Sequence, residues 1–122
     1  MQKTILITDD SAMIRRIVGQ FLQRLGYNVL LAENGENGYM LTKSEKPDLV
    51  IMDIEMPVMT GIEATKQIKN DPETASIPVL IFTSLGREED IEQANNAGCD
   101  GFLNKPISED ELQKAVSALL TV

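Results

Sequence analysis

"PDLVIMDIEMP", residues Pro47 to Pro57, is the stretch that decides the fold. Its apolar run, Leu49 to Met52, has no polar member to mark a solvent face, so it reads as a strand covered on both sides. The run ends abruptly in Asp53, with Pro57 close behind. A protein interior disfavours a bare carboxylate, so Asp53 belongs where the strand leaves the core.

Outward from this stretch the same pattern recurs. "TILIT" (Thr4 to Thr8), "NVLLA" (Asn28 to Ala32), "PVLIFT" (Pro78 to Thr83) and the weaker "GFLN" (Gly101 to Asn104) are further strand candidates. Between them lie segments of helical period. Ile14, Ile17, Val18, Phe21, Leu22 and Leu25 recur at three- and four-residue steps, and Gly26 supplies a stop. The last helix opens on a capping box, Ser108 with Glu111, followed by the stripe Leu112, Ala115, Val116, Leu119 and Leu120. Helices are also expected over Gly35 to Ser44, Gly61 to Asn70 and Glu88 to Ala97, the last a thin one anchored by Ile91, Ala94 and Ala97. Right-handed crossovers place helices on both faces of such a sheet, so the expectation is one doubly wound α/β domain over residues 1–122.

The chain carries 11 Lys and Arg against 19 Asp and Glu, a formal charge of −8. That balance argues against direct nucleic-acid binding, which rests on clustered cations. The apolar runs are too short to span a bilayer, and no leader pattern precedes Ile5, so a cytoplasmic, mature chain is expected. Cys99 is the only cysteine, which excludes an internal disulfide and suggests core packing, with a reactive thiol as the alternative. There is no histidine, so histidine acid–base chemistry, histidine-ligated metals and a phosphohistidine on this chain are all excluded.

In an open parallel sheet, ligands bind beyond the carboxyl ends of the strands. Here the first run ends in Asp9 and Asp10, the third in Asp53, the fourth in Thr83 and Ser84, and the fifth in Lys105 and Pro106. Taken singly, each has a plain explanation. Asp9 or Asp10 caps a helix, Asp53 is a turn residue, Thr83 ends a strand and Lys105 is solvated. Their coincidence on one sheet edge is what points to a site. Three carboxylates brought together repel unless a cation joins them, and oxygen ligands without His or Cys suit Mg²⁺ (or Mn²⁺). A lysine and a hydroxyl opposite suit a phosphoryl group. Asp53 then reads as a nucleophile held against a metal.

The segments "ILITDDS", "PDLVIMDIEMPVMTGIEA", "IPVLIFTS" and "AGCDGFLNKPISEDEL" together resemble the receiver domains of bacterial two-component response regulators, in the family's order, from Ile5 to about Leu120. "DDSAMIRRIV" looks most like the stand-alone chemotaxis (CheY-type) receivers. The resemblance implies a flavodoxin-like (βα)5 three-layer sandwich with strand order 2-1-3-4-5. It makes Asp53 the phosphoacceptor, with Asp10 binding Mg²⁺ directly, Asp9 nearby and the Glu55 backbone carbonyl completing the protein ligands. Thr83 and Lys105 would bind the phosphoryl group, and the Lys105–Pro106 bond would be cis. Thr83 and Phe102 would form the switch, although Phe102 equally suits plain core packing and lacks the hydroxyl of the tyrosine that some chemotaxis receivers carry there. The surface of the fourth helix, fifth strand and fifth helix would change for a downstream protein.

The implied partners are a histidine kinase as phosphodonor and that downstream target. The chain is read as a monomer, phosphorylation being the condition under which a dimer is considered. It would be a signalling phosphoacceptor rather than an enzyme. Glu55 and Leu85 flank the expected water path, so they are candidates for tuning phosphoryl lifetime, with solvated loop residues as the plain alternative. Rival readings are a flavin binder, a haloacid-dehalogenase-type phosphatase and a pseudo-receiver that binds proteins without phosphorylation. "TDDSAM" supplies carboxylates where a flavin phosphate loop would lie, Glu55 stands where the phosphatase wants aspartate, and intact Asp10, Asp53, Thr83 and Lys105 weigh against the third.

Overall fold

The apolar runs form strands whose side chains divide between two cores. The computed structural model describes residues 2–106 and 108–120; the expected domain limits, Met1 and Val122, lie outside them. Among the described residues, β1 (Thr4–Thr8), β2 (Asn28–Ala32), β3 (Leu49–Met52), β4 (Val79–Thr83) and β5 (Gly101–Asn104) alternate with α1 (Ala12–Arg24), α2 (Gly35–Glu45), α3 (Gly61–Asn70), α4 (Glu88–Ala97) and α5 (Glu109–Leu120). The strands pair in parallel in the order β2-β1-β3-β4-β5, the flavodoxin-like order that the resemblance implies.

Leu6, Val50, Met52, Val79 and Ile81 point into one core, closed by Ala64, Ile68 and Ala94 from α3 and α4. Their strand neighbours Ile5, Ile7, Leu49, Ile51, Leu80 and Phe82 point into the other, against Val18, Phe21 and Leu22 of α1 and Leu112 and Val116 of α5. Each fully buried Leu or Ile here contributes about 1.5–3 kcal/mol of transfer free energy. Cys99 packs beside the first core, as expected, and burial pushes its thiol pKa up.

Capping explains the helix limits. Ser11, Asn34 and Thr60 side chains accept the N–H groups of Ile14, Asn37 and Glu63 at 3.2, 2.8 and 3.2 Å. The Ser108 hydroxyl accepts the Glu111 N–H and donates to the Glu111 carboxylate, both at 3.2 Å, so the two expected partners do meet. After α1 the chain turns through Gly26 at φ +95°, and the Tyr27 N–H returns to the Leu22 carbonyl at 3.1 Å.

Three local expectations need correction. Ile17, read as part of the α1 core stripe, is 53% exposed. Leu31 of β2 is 49% exposed, because β2 is an edge strand and only partly covered. Pro78 lies before β4, since proline has no N–H to give the ladder.

Candidate functional site

The site residues lie at or just past the carboxyl ends of β1, β3, β4 and β5. The register pairs Thr8 with Met52 and Thr83 with Asn104, so Asp9, Asp53 and Lys105 leave the sheet along one edge. Backbone bonds continue the ladder by one step: Asp53 N–H to Thr8 carbonyl at 3.0 Å and Lys105 N–H to Thr83 carbonyl at 2.8 Å. The residues after the strands are therefore as fixed as the strands.

Asp9, Asp10 and Asp53 each place a carboxylate oxygen within 4.8 Å of the others. Asp9 and Asp53 are buried, whereas Asp10 is exposed. The Lys105 ammonium lies 2.6 Å from Asp9 Oδ2 and 3.4 Å from Asp53 Oδ2, and 5.4 Å from the centre of the Phe82 ring. Asp9 Oδ1 accepts the Ser11 N–H at 2.9 Å, and its carbonyl accepts Arg15 Nη1 at 2.7 Å. Asp53 Oδ1 accepts the Ile54 N–H at 2.8 Å. Burial pushes the Asp53 carboxyl above its usual range and Asp9 adds to the rise, while the Thr83 hydroxyl and the Lys105 ammonium pull it back. Asp53 is thus a carboxylate whose charge the fold only partly compensates.

The loop after Asp53 is pinned at both ends. Gly61 N–H donates to the Ile54 carbonyl at 2.9 Å, and Gly35 N–H to the Met59 carbonyl at 3.1 Å. A Cβ at Gly61 would collide with the Asp53 carbonyl oxygen, so only glycine lets α3 start this close. Buried Met56 anchors the loop from within, while Glu55 points outward, where its charge supports that of Arg87.

Thr83 is fully buried, its hydroxyl accepts the Leu85 N–H at 3.2 Å, and it pulls the Asp53 pKa down. Leu85 and Phe102 are half-buried against the core beneath α3 and α4. The Lys105–Pro106 peptide bond is cis. Thus Asp9, Asp10, Asp53, Thr83 and Lys105 converge, while Glu55, Leu85 and Phe102 sit around them. An all-oxygen cluster carrying three negative charges against one ammonium fits a hard divalent cation such as Mg²⁺.

Sequence reasoning did not find Arg15 on the Asp9 backbone carbonyl, Phe82 against Lys105, or the Ser11 and Ile54 N–H groups that hold the carboxylates. The cap of α1 is Ser11 and not Asp9 or Asp10, the cap candidates considered from the sequence. The other contacts depend on the fold and leave no local signal.

A doubly wound α/β domain with carboxylates, a hydroxyl and a lysine gathered at the strands' carboxyl edge defines the class of phosphoryl-accepting signalling domains. The chain belongs to the response regulator receiver domain family, whose model matches residues 5–117, and so to two-component signalling. It is 42% identical over 116 residues to the protein PilH of Pseudomonas aeruginosa, covering 95% of this chain and 96% of that one. Its structure is similar to that of the Vibrio cholerae chemotaxis protein CheY4, with TM-score 0.92, 31% identity, and 98% and 100% of the two chains covered. It is also similar to the receiver domain of the sensor histidine kinase PA1611 from Pseudomonas aeruginosa, with TM-score 0.93, 25% identity and both chains fully covered. That structure has a magnesium ion coordinated in its active-site cleft.

Proposed function

We propose that this chain is a phosphorylation switch whose acceptor is Asp53. The carrying observation is the convergence of the Asp9, Asp10 and Asp53 carboxylates within 4.8 Å beside Lys105. An Asp53 oxygen attacks the phosphorus of a phosphohistidine on a partner histidine kinase. The P–O bond forms as the P–N bond breaks, and the imidazole nitrogen keeps the electron pair. Lys105 and the Thr83 hydroxyl offer positive charge and a donor to the phosphoryl oxygens.

Bound Mg²⁺, held by Asp9, Asp10, Asp53 and the Glu55 carbonyl, would neutralise charge on the transferring group. The partly uncompensated charge at Asp53 supports such a requirement. Glu55 and Leu85 flank the acceptor and set how readily water hydrolyses the acyl phosphate. Thr83 and Phe102 relay its presence to the α4–β5–α5 surface, where a downstream protein binds. Likeness to the chemotaxis protein CheY4 supports a regulator of a chemotaxis kind, as a single domain or as the receiver of a larger regulator.

The test is intact-mass spectrometry after incubation with Mg²⁺ and acetyl phosphate. One phosphoryl adduct is expected on the wild type, and none on Asp53→Asn or after chelation. If no adduct forms and beryllofluoride does not bind either, the chain is a pseudo-receiver and the proposal fails.

A further inference from the structure

The β4–α4 loop is held from a side that the site's chemistry does not use. The Asn104 side chain, at the end of β5, lies across this loop and donates from Nδ2 to the Thr83 carbonyl at 3.4 Å. The same carbonyl accepts the Lys105 N–H, so it is bound twice from β5. Gly86 lies against the same side-chain amide. A Cβ there would lie 2.5 Å from Asn104 Nδ2 and 2.8 Å from Oδ1. Gly86 is not among the described residues with positive φ, so its missing side chain serves close approach and not backbone conformation. The Thr83 hydroxyl in turn accepts the Leu85 N–H at 3.2 Å. Thr83, Leu85, Gly86 and Asn104 therefore form one connected series that ends at the sheet edge.

We infer that Asn104 is a positioning residue that clamps the β4–α4 loop in its resting place and so sets how easily Thr83 answers a phosphoryl group on Asp53. The inference rests on the function proposed above. A contact made in the resting arrangement alone stabilises that arrangement, and its loss shifts the population toward the other one. Asn104→Ala removes both the donor and the contact with Gly86. Asn104→Asp keeps the size but removes the donor to Thr83. Gly86→Ala leaves Asn104 intact but pushes its amide away.

The experiment measures beryllofluoride affinity in saturating Mg²⁺, by titration, for these three variants and for the double variant Asn104→Ala/Gly86→Ala. Thermal melting without beryllofluoride runs alongside. Each single variant is expected to bind about threefold or more tightly than wild type and to melt slightly below it without beryllofluoride, because the clamp stabilises the resting arrangement, and Gly86→Ala should add nothing to the affinity of Asn104→Ala, because both release one clamp. Wild-type affinity in both Asn104 variants overturns the inference, as does full additivity in the double variant. Failure of the wild type to bind beryllofluoride overturns the underlying function, a result distinct from wild type and variants binding equally.

Discussion

At the scale of single residues, Thr8 and Val58 stand out because neither suits its place. The Thr8 hydroxyl is buried with no hydrogen-bond partner among the described residues, pressed against Gly38 of α2. An unmade hydrogen bond in the interior costs about 1–3 kcal/mol, so the near-isosteric Thr8→Val is expected to raise unfolding free energy by about 1–2 kcal/mol. Urea melts check this, and an unchanged or lower midpoint would show that the hydroxyl is satisfied in solution. Val58 adopts φ +71° with its side chain 75% exposed, in the loop that follows the acceptor. A left-handed backbone costs a branched residue about 1–2 kcal/mol, and glycine recovers most of it while giving some back as chain entropy. Val58→Gly is therefore expected to stabilise by about 1 kcal/mol in the same assay. A loss would mean that the apolar side chain contributes more than its exposure suggests.

At the scale of elements, α2 is fastened to the segment after α3 by Tyr39, whose hydroxyl donates to Asp71 Oδ2 at 2.7 Å, with Lys43 3.1 Å from the same oxygen. The Tyr39 hydroxyl, then the Glu73 N–H and Lys43, hold the Asp71 carboxyl down to about 2, from 3.8. A depressed folded pKa contributes stability that is full above 3.8 and is lost as pH falls toward about 2. Tyr39→Phe should thus lower the urea midpoint at neutral pH, with the gap to wild type closing over that acid window; a gap constant with pH would rule the linkage out. Nothing local in "GENGYMLTKSE" announces this staple, whereas the elements themselves were legible. Leu49 to Met52 and Ile5 to Ile7 are apolar without interruption, and the Ser108–Glu111 box and Gly26 carry cap and stop chemistry that works over a few residues. What stayed hidden depends on neighbours distant in sequence. Leu31 reads like a core residue until β2 proves to be the edge, and Ile17 until the α1 face turns outward. The site divides in the same way. Asp9, Asp10, Asp53, Thr83 and Lys105 showed as strand-end residues, but not that Lys105 sits closer to Asp9 than to Asp53.

At the scale of the whole molecule, the cluster of three carboxylates belongs to a chain that already carries a net charge of −8, so the fold bears self-repulsion concentrated at its functional edge. Burial first, and Asp9 with it, raises the Asp53 pKa above 3.8 in the fold. A raised carboxyl pKa means that stability falls as pH climbs from 3.8 through the folded value, and stays reduced above it. At neutral pH without divalent cation, Asp53→Asn should therefore melt above wild type, with the difference fading in acid. Mg²⁺ should reverse the ranking, since a cation bound only by the folded wild type stabilises it by about 2.7 kcal/mol at a hundred times its Kd. Asp53→Asn, lacking one charged ligand, gains less. Melts across a Mg²⁺ titration, with NaCl adjusted to hold ionic strength constant, separate this from general screening of the net charge. A crossing of the two curves with rising Mg²⁺ is the expected result. Parallel curves would mean that Mg²⁺ acts on the acidic surface at large, and the cluster would then be an electrostatic cost without a cation to relieve it.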